Sequence, residues 1–190
     1  MDLIQRFLPD FQFAERHCID VGAPAAAVLD AALAVNLADD RFIGAFVALR
    51  EWPARLVGAR PKTKPRFGRD DFVLLGRDGD REIAYGLVGQ FWRAAYGLVP
   101  VTSADGFAAY REPGVPKLVM NFTAEPRDGA TRLTTITRVH CPDAASRRRF
   151  TPYWWLIRPV SGLIRRRLIV RVKALAEQRA ASTASPTAST

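Results

Sequence analysis

The sequence predicts an α+β fold of the helix-grip kind: a curved antiparallel sheet of six to seven strands wrapped on a long C-terminal helix. Two observations predict it. Period-two apolar alternation recurs in segments, the later ones bounded by short Gly turns, which forces antiparallel neighbours. Helical spacing of apolar residues is gathered in two places, just after the first alternating segment and at the C-terminal end.

Residues 11–21 alternate, with Phe13, Glu15, His17, Ile19 and Val21 on one face and Gln12, Arg16 and Asp20 on the other, which is a half-buried strand. Gly22-Ala23-Pro24 ends it, and Pro24 stands where the first turn of a helix tolerates a missing N–H. Residues 25–35 place Val28, Ala31, Ala32 and Val35 on one helical stripe. A second short helix is expected from Asp39-Asp40, carrying Phe42 and Phe46, with Pro53 near its end. Residues 60–69 read as a basic loop.

Strands are then expected at 72–77, 82–89, 107–111, 117–125 and 132–141. Asp78-Gly79-Asp80 and Arg127-Asp128-Gly129 serve as hairpin turns. The glycines of 86–89 read as relief for a sharply bent strand. Residues 144–180 form the long helix, with Phe150, Trp154, Ile157, Ser161, Ile164, Leu168, Val172 and Leu175 on one face. Pro159 is expected to kink or split it, and Gly162 to loosen the same place.

A chain of 190 residues suits one domain with a sizeable core. Residues 1–10 read as a leader, 11–178 as the domain, and the Ala/Ser/Thr/Pro-rich 179–190 as a disordered tail. No window offers the ~18 apolar residues of a membrane span, and the N-terminus has no signal-peptide core. A cytoplasmic protein is therefore expected, with a peripheral place on the inner membrane face as an option. Two cysteines are too few for a disulfide scaffold. No cofactor or metal is expected.

The formal charge of +9 is concentrated. Residues 143–179 hold nine Arg and one Lys against Asp143 and Glu177, a net +8. A solvated helix face explains this, and so does a docking surface formed by Arg165, Arg166, Arg167, Arg171 and Lys173, with an anionic membrane surface as partner. Nucleic acid is disfavoured because no base-stacking aromatics accompany these arginines. The oligomeric state is open between monomer and homodimer.

The order of elements is similar to that of the START-like, or SRPBCC, superfamily. Val21-Gly22-Ala23-Pro24 with Val28 and Leu33 looks like its strand-to-helix entry. Several segments resemble one uncharacterised bacterial branch. They are 86–93 (Gly-Leu-Val-Gly-Gln-Phe-Trp-Arg), Asn121-Phe122, Thr135, Thr137-Arg138-Val139 and Arg149-Phe150. Tyr153-Trp154, 156–159 and 161–166 complete the set. The resemblance spans about residues 5–178 and implies a helix-grip fold around a ligand cavity. One departure is Ile136, where the branch commonly carries a glutamate.

On that fold the expected ligand wall is Phe42, Phe46, Tyr85, Leu87, Met120, Phe122, Tyr153, Trp154 and Ile157, large apolar groups with few polar tips. Plain core packing would use the same side chains. Thr135 and Thr137 face inward beside Leu133 and Val139 and offer two hydroxyls to a ligand's polar end. The expected function is binding or carriage of a hydrophobic small molecule, lipid or aromatic, with no catalytic residue assigned. Two alternatives stand: a polyketide cyclase/dehydrase-like enzyme in the same cavity, and a membrane- or protein-docking module. The enzyme would need Glu15, His17, Glu82 or His140 in the cavity. His17-Cys18 and His140-Cys141 sit on strands where successive residues face opposite ways, which argues against a shared metal or nucleophile site.

Overall fold

The computed structural model describes residues 1–35, 71–93 and 97–184. In chain order it has α1 (Leu3–Phe7), β1 (Phe13–Val21), α2 (Ala25–Ala34), β2 (Val73–Asp78) and β3 (Glu82–Val88). Then come α3 (Ala104–Ala109), β4 (Lys117–Arg127), β5 (Ala130–His140) and α4 (Ala144–Ala184). The expected second helix, with Phe42 and Phe46, lies outside the described residues.

The strands form one antiparallel sheet in the order β1-β5-β4-β3-β2. Asp128 and Gly129 both take positive φ, 44° and 80°, and Arg127 pairs with Ala130 across them. Two left-handed residues in a row match the right-handed twist of the flanking strands.

Five strands stand among the described residues, not six or seven. The expected strand at 107–111 is replaced by α3. The Ser103 hydroxyl accepts a 3.0 Å hydrogen bond from the Gly106 N–H, and Asp105 sits in the first turn. A filled cap and an acidic first turn favour the helix. One buried anchor, Phe107, then fixes it to the sheet.

The sheet is covered on both faces. Its inner face meets α2 and α4 through two apolar clusters. One joins Val28, Leu29, Ile83, Tyr85, Met120, Phe122, Leu133, Leu168 and Val172. The other joins Leu87, Phe91, Val139, Phe150 and Trp154, with Phe13 and Tyr153 packed on it. The outer face meets α1 and α3, where Ile4, Leu8 and Phe107 pack on Ala84, Val88 and Val119. Within residues 1–10, read as a leader, Ile4 and Leu8 are buried against this face. The same face explains Gly86. A Cβ there would lie 2.7 Å from two ring carbons of Phe107, so the glycine makes room for the ring.

Helix α4 runs through Pro152 and Pro159 to Ala184, four residues beyond the expected end. Both prolines lie on the exposed side. There the carbonyls left without a partner open to water, which lowers the cost of a missing N–H. No helix among the described residues is long and apolar enough to cross a membrane.

Candidate functional site

A polar band crosses the middle of the inner face, between the two apolar clusters. The strand register builds it. One row across the sheet reads Glu15, Thr137, Met120, Tyr85, and the next reads His17, Thr135, Phe122, Ile83. Paired residues on one face stand about 4.5–5.5 Å apart at Cβ, so each row is a continuous strip of contacts. Toward β1 the strips are polar. Toward β3 they are apolar and aromatic.

His17 Nε2 and Glu15 Oε1 are 2.9 Å apart. Gly162 of α4 lies directly above them. A Cβ there would come 2.8 Å from Glu15 Oε1 and 3.7 Å from His17 Cε1. The glycine expected to loosen α4 therefore seats the helix close over this pair. One turn on, Arg165 turns inward, and its Nη1 lies against Met120 Sδ. Burial pushes its guanidinium down to about 10, with the Glu15 charge acting the other way. It stays cationic near neutral pH. Sulfur is a weak acceptor, so a guanidinium with five donors remains short of oxygen partners. Thr135 Oγ1, also buried, has no hydrogen-bond partner among the described residues.

The band thus combines a cation, a carboxylate–imidazole pair and a hydroxyl without a partner among the described residues, with apolar clusters on either side. The Glu15–His17 pair can orient an imidazole for proton transfer.

The expected site residues separate. Tyr85, Met120 and Phe122 lie in the α2 cluster, and Leu87, Tyr153 and Trp154 in the Phe150 cluster. Ile157 is half-buried between those ends of α4. Thr135 and Thr137 are buried within the band. Arg165, expected on the docking surface, is half-buried, with its guanidinium turned toward the sheet. It belongs to the row Arg165, Leu168, Val172, Ala176, whose later members are all buried. That three- and four-residue spacing is the signal in the sequence. Lys173 is engaged by Glu177 Oε1 at 2.5 Å and the Asp20 carbonyl at 2.9 Å. Arg171 is half-buried, while Arg166 and Arg167 lie on the exposed side.

Two of the four acid–base candidates are on the other face. Glu82 is buried under α1 and accepts from the Leu3 and Ile4 N–H groups and from Asn121 Nδ2. His140 lines an outer-face pocket. Ile136 also packs on the outer face, so the residue type at that position does not bear on the inner band.

The cysteines differ sharply. Cys18 is exposed, whereas burial, with Asp143 acting in the same direction, pushes the Cys141 thiol up to about 12. Only the thiolate attacks disulfide reagents. One thiol is expected to react rapidly with Ellman's reagent at about pH 8 in the folded protein, and the second only after unfolding. Two fast equivalents would contradict the burial of Cys141.

No family model matches the chain, and no curated protein does. A structural likeness covers 91% of this chain and 100% of a crystal structure of the protein TTHA0849 from Thermus thermophilus, at 9% identity and a TM-score of 0.32. A likeness that distant carries no functional argument.

Proposed function

We propose that the protein binds a largely apolar small molecule, a lipid or an aromatic compound, whose one polar end docks on the band of Glu15, His17, Thr135 and Arg165. The observation that supports this is Arg165, half-buried between sheet and helix, its guanidinium turned toward Met120 Sδ and within reach of the Glu15 charge. Even partial burial of a charge costs stability, and a bound acceptor such as a carbonyl or carboxylate would offset that cost further than the nearby Glu15 charge does. Tyr85, Met120 and Phe122 on one flank and Leu87 and Trp154 on the other supply the apolar walls.

Native mass spectrometry of gently purified full-length protein tests this. A stoichiometric adduct, extractable into organic solvent, is expected. Arg165→Met should lose it while keeping the far-ultraviolet circular dichroism of the parent. A bare polypeptide mass, unchanged by incubation with fatty acids and aromatic compounds, would overturn the proposal.

A second reading concerns the outside of α4. Trp155 is 63% exposed and Leu156 79%, and Leu163 and Val170 are exposed on the same stripe. Arg166 and Arg167 flank it, and the Arg158 guanidinium sits 5.6 Å from the Trp155 ring centre. An apolar stripe edged by arginines suits the interface of an anionic bilayer. Co-sedimentation with phosphatidylglycerol vesicles, weakened by salt and lost in a Trp155→Glu, Leu156→Glu double variant, is the expected result. Equal pelleting of parent and variant would remove the reading.

A further inference from the structure

The outer face carries a half-open pocket of about 170 Å³ between α1, the segment after α3 and the paired ends of β4 and β5. Phe7, Leu8, Val115 and Pro142 give it apolar walls, and Lys117 and His140 give it chemistry. Lys117 and His140 are register partners across β4 and β5, so both side chains emerge on this face side by side. Lys117 is only 7% exposed. Its Nζ lies 4.5 Å from the Phe107 ring centre and 3.5 Å from the Tyr110 carbonyl, and no carboxylate pairs with it among the described residues. His140 Nδ1 is buried and has no hydrogen-bond partner among them.

The choice of lysine is itself informative. Of 28 Lys and Arg residues only Lys62, Lys64, Lys117 and Lys173 are lysine. A chain that uses arginine almost everywhere has placed, at a nearly buried β-strand position, the cation that can shed its proton. A guanidinium cannot do this, whereas a desolvated amine becomes a nucleophile.

We propose that Lys117 is a reactive amine that captures small aldehydes in this pocket as a reversible imine, with His140 moving the proton. The neutral Nζ lone pair adds to the carbonyl carbon, forming the C–N bond. The proton released from nitrogen passes through the imidazole to the oxygen, giving a carbinolamine. The imidazole, having taken a second proton from solvent, gives it to that hydroxyl as the nitrogen lone pair expels it as water, leaving the protonated imine. No oxidant or reductant is consumed. The pocket's volume admits a carbonyl compound of a few carbons, and its walls favour an aliphatic one.

Burial, aided by the nearby Arg111, pushes the Lys117 amine down to about 8. The other titratable or charged groups around the pocket are Asp10, Glu112, His140 and Tyr110. Tyr110 is held up at about 12 and stays protonated throughout the range that matters. At about pH 8 roughly half of Lys117 is then neutral, against less than about 1% of an ordinary lysine.

Propanal with cyanoborohydride tests the site in the full-length protein, the trapped amine being located by peptide mass mapping. Lys117 should be propylated at least about tenfold faster than Lys173, with a rate that reaches half its maximum near about pH 8. The same residue should lose this advantage in guanidinium-unfolded chain. His140→Ala should slow trapping at Lys117 by about tenfold or more. Trapping at Lys117 no faster in the folded than in the unfolded chain would overturn the proposal. An unchanged rate in His140→Ala would overturn the role of that histidine.

Discussion

Replacing Phe150 with alanine is expected to destabilise the protein by about 3–5 kcal/mol. Phe150 is fully buried at the start of α4. Its ring centre lies 4.9 Å from Phe13, 5.6 Å from Tyr153, 6.0 Å from Trp154, 6.3 Å from Phe91 and 6.4 Å from Trp92. Several of these are edge-on contacts, each worth more than its buried area alone. Five large rigid rings cannot collapse into the space left by a sixth, so the cavity persists and its cost stays high. The loss would be a large share of the roughly 5–15 kcal/mol that holds a typical domain together. Urea unfolding followed by tryptophan fluorescence measures it. Phe150→Leu should lose clearly less, and an alanine variant within about 1 kcal/mol of the parent would show that the ring cluster repacks.

Glu82→Ala is the next largest, at about 2–4 kcal/mol. The carboxylate is buried and takes hydrogen bonds of 2.6 Å from the Leu3 N–H, 3.2 Å from the Ile4 N–H and 2.7 Å from Asn121 Nδ2. Three donors lose their acceptor together. Asn121 in turn accepts from the Ile136 N–H at 3.0 Å, so the damage reaches the β4–β5 ladder. Two of the donors are the first amides of α1, where a negative charge is favoured. The variant should therefore lose local as well as global stability. Amide hydrogen exchange in residues 3–8 should rise far more than in β4. Exchange raised equally everywhere would mean that α1 does not depend on Glu82.

The parts of the fold legible in the sequence are those written by local periodicity. The alternation of β1 is reproduced residue by residue, with Phe13, Glu15, His17, Ile19 and Val21 on the inner side. The Asp128-Gly129 turn and the inward threonines of β5 follow the same logic. Where a short segment admits two readings, the flanking residues decide. Residues 107–111 have strand-like side chains, but Ser103 and Asp105 just upstream have already started a helix. Charge alone puts Arg165 on the surface, whereas its spacing to the buried Leu168 and Val172 turns its guanidinium toward the sheet and leaves it half-buried. The partnership of Glu82 with α1 is not legible at all. It joins groups 78 and 79 positions apart through backbone amides, which leave no mark in side-chain pattern. The closeness of Gly162 to Glu15 is of the same kind, set by packing and not by propensity.

The strand order also fixes a timetable. β3, β4 and β5 are neighbours in the sheet and follow one another in the chain, so they can pair as they leave the ribosome. β1 emerges before all of them, yet its partner is β5, whose residues 130–140 come more than a hundred positions later. Closing so long a loop is entropically slower than closing a hairpin. At about 5–20 residues per second, β1 waits several seconds without its partner. During that interval β1 has no ladder to join, and Glu15 and His17 have not yet met Thr135 and Thr137. Nascent chains halted before residue 130 should then carry a β1 open to protease, with the polar band still unassembled.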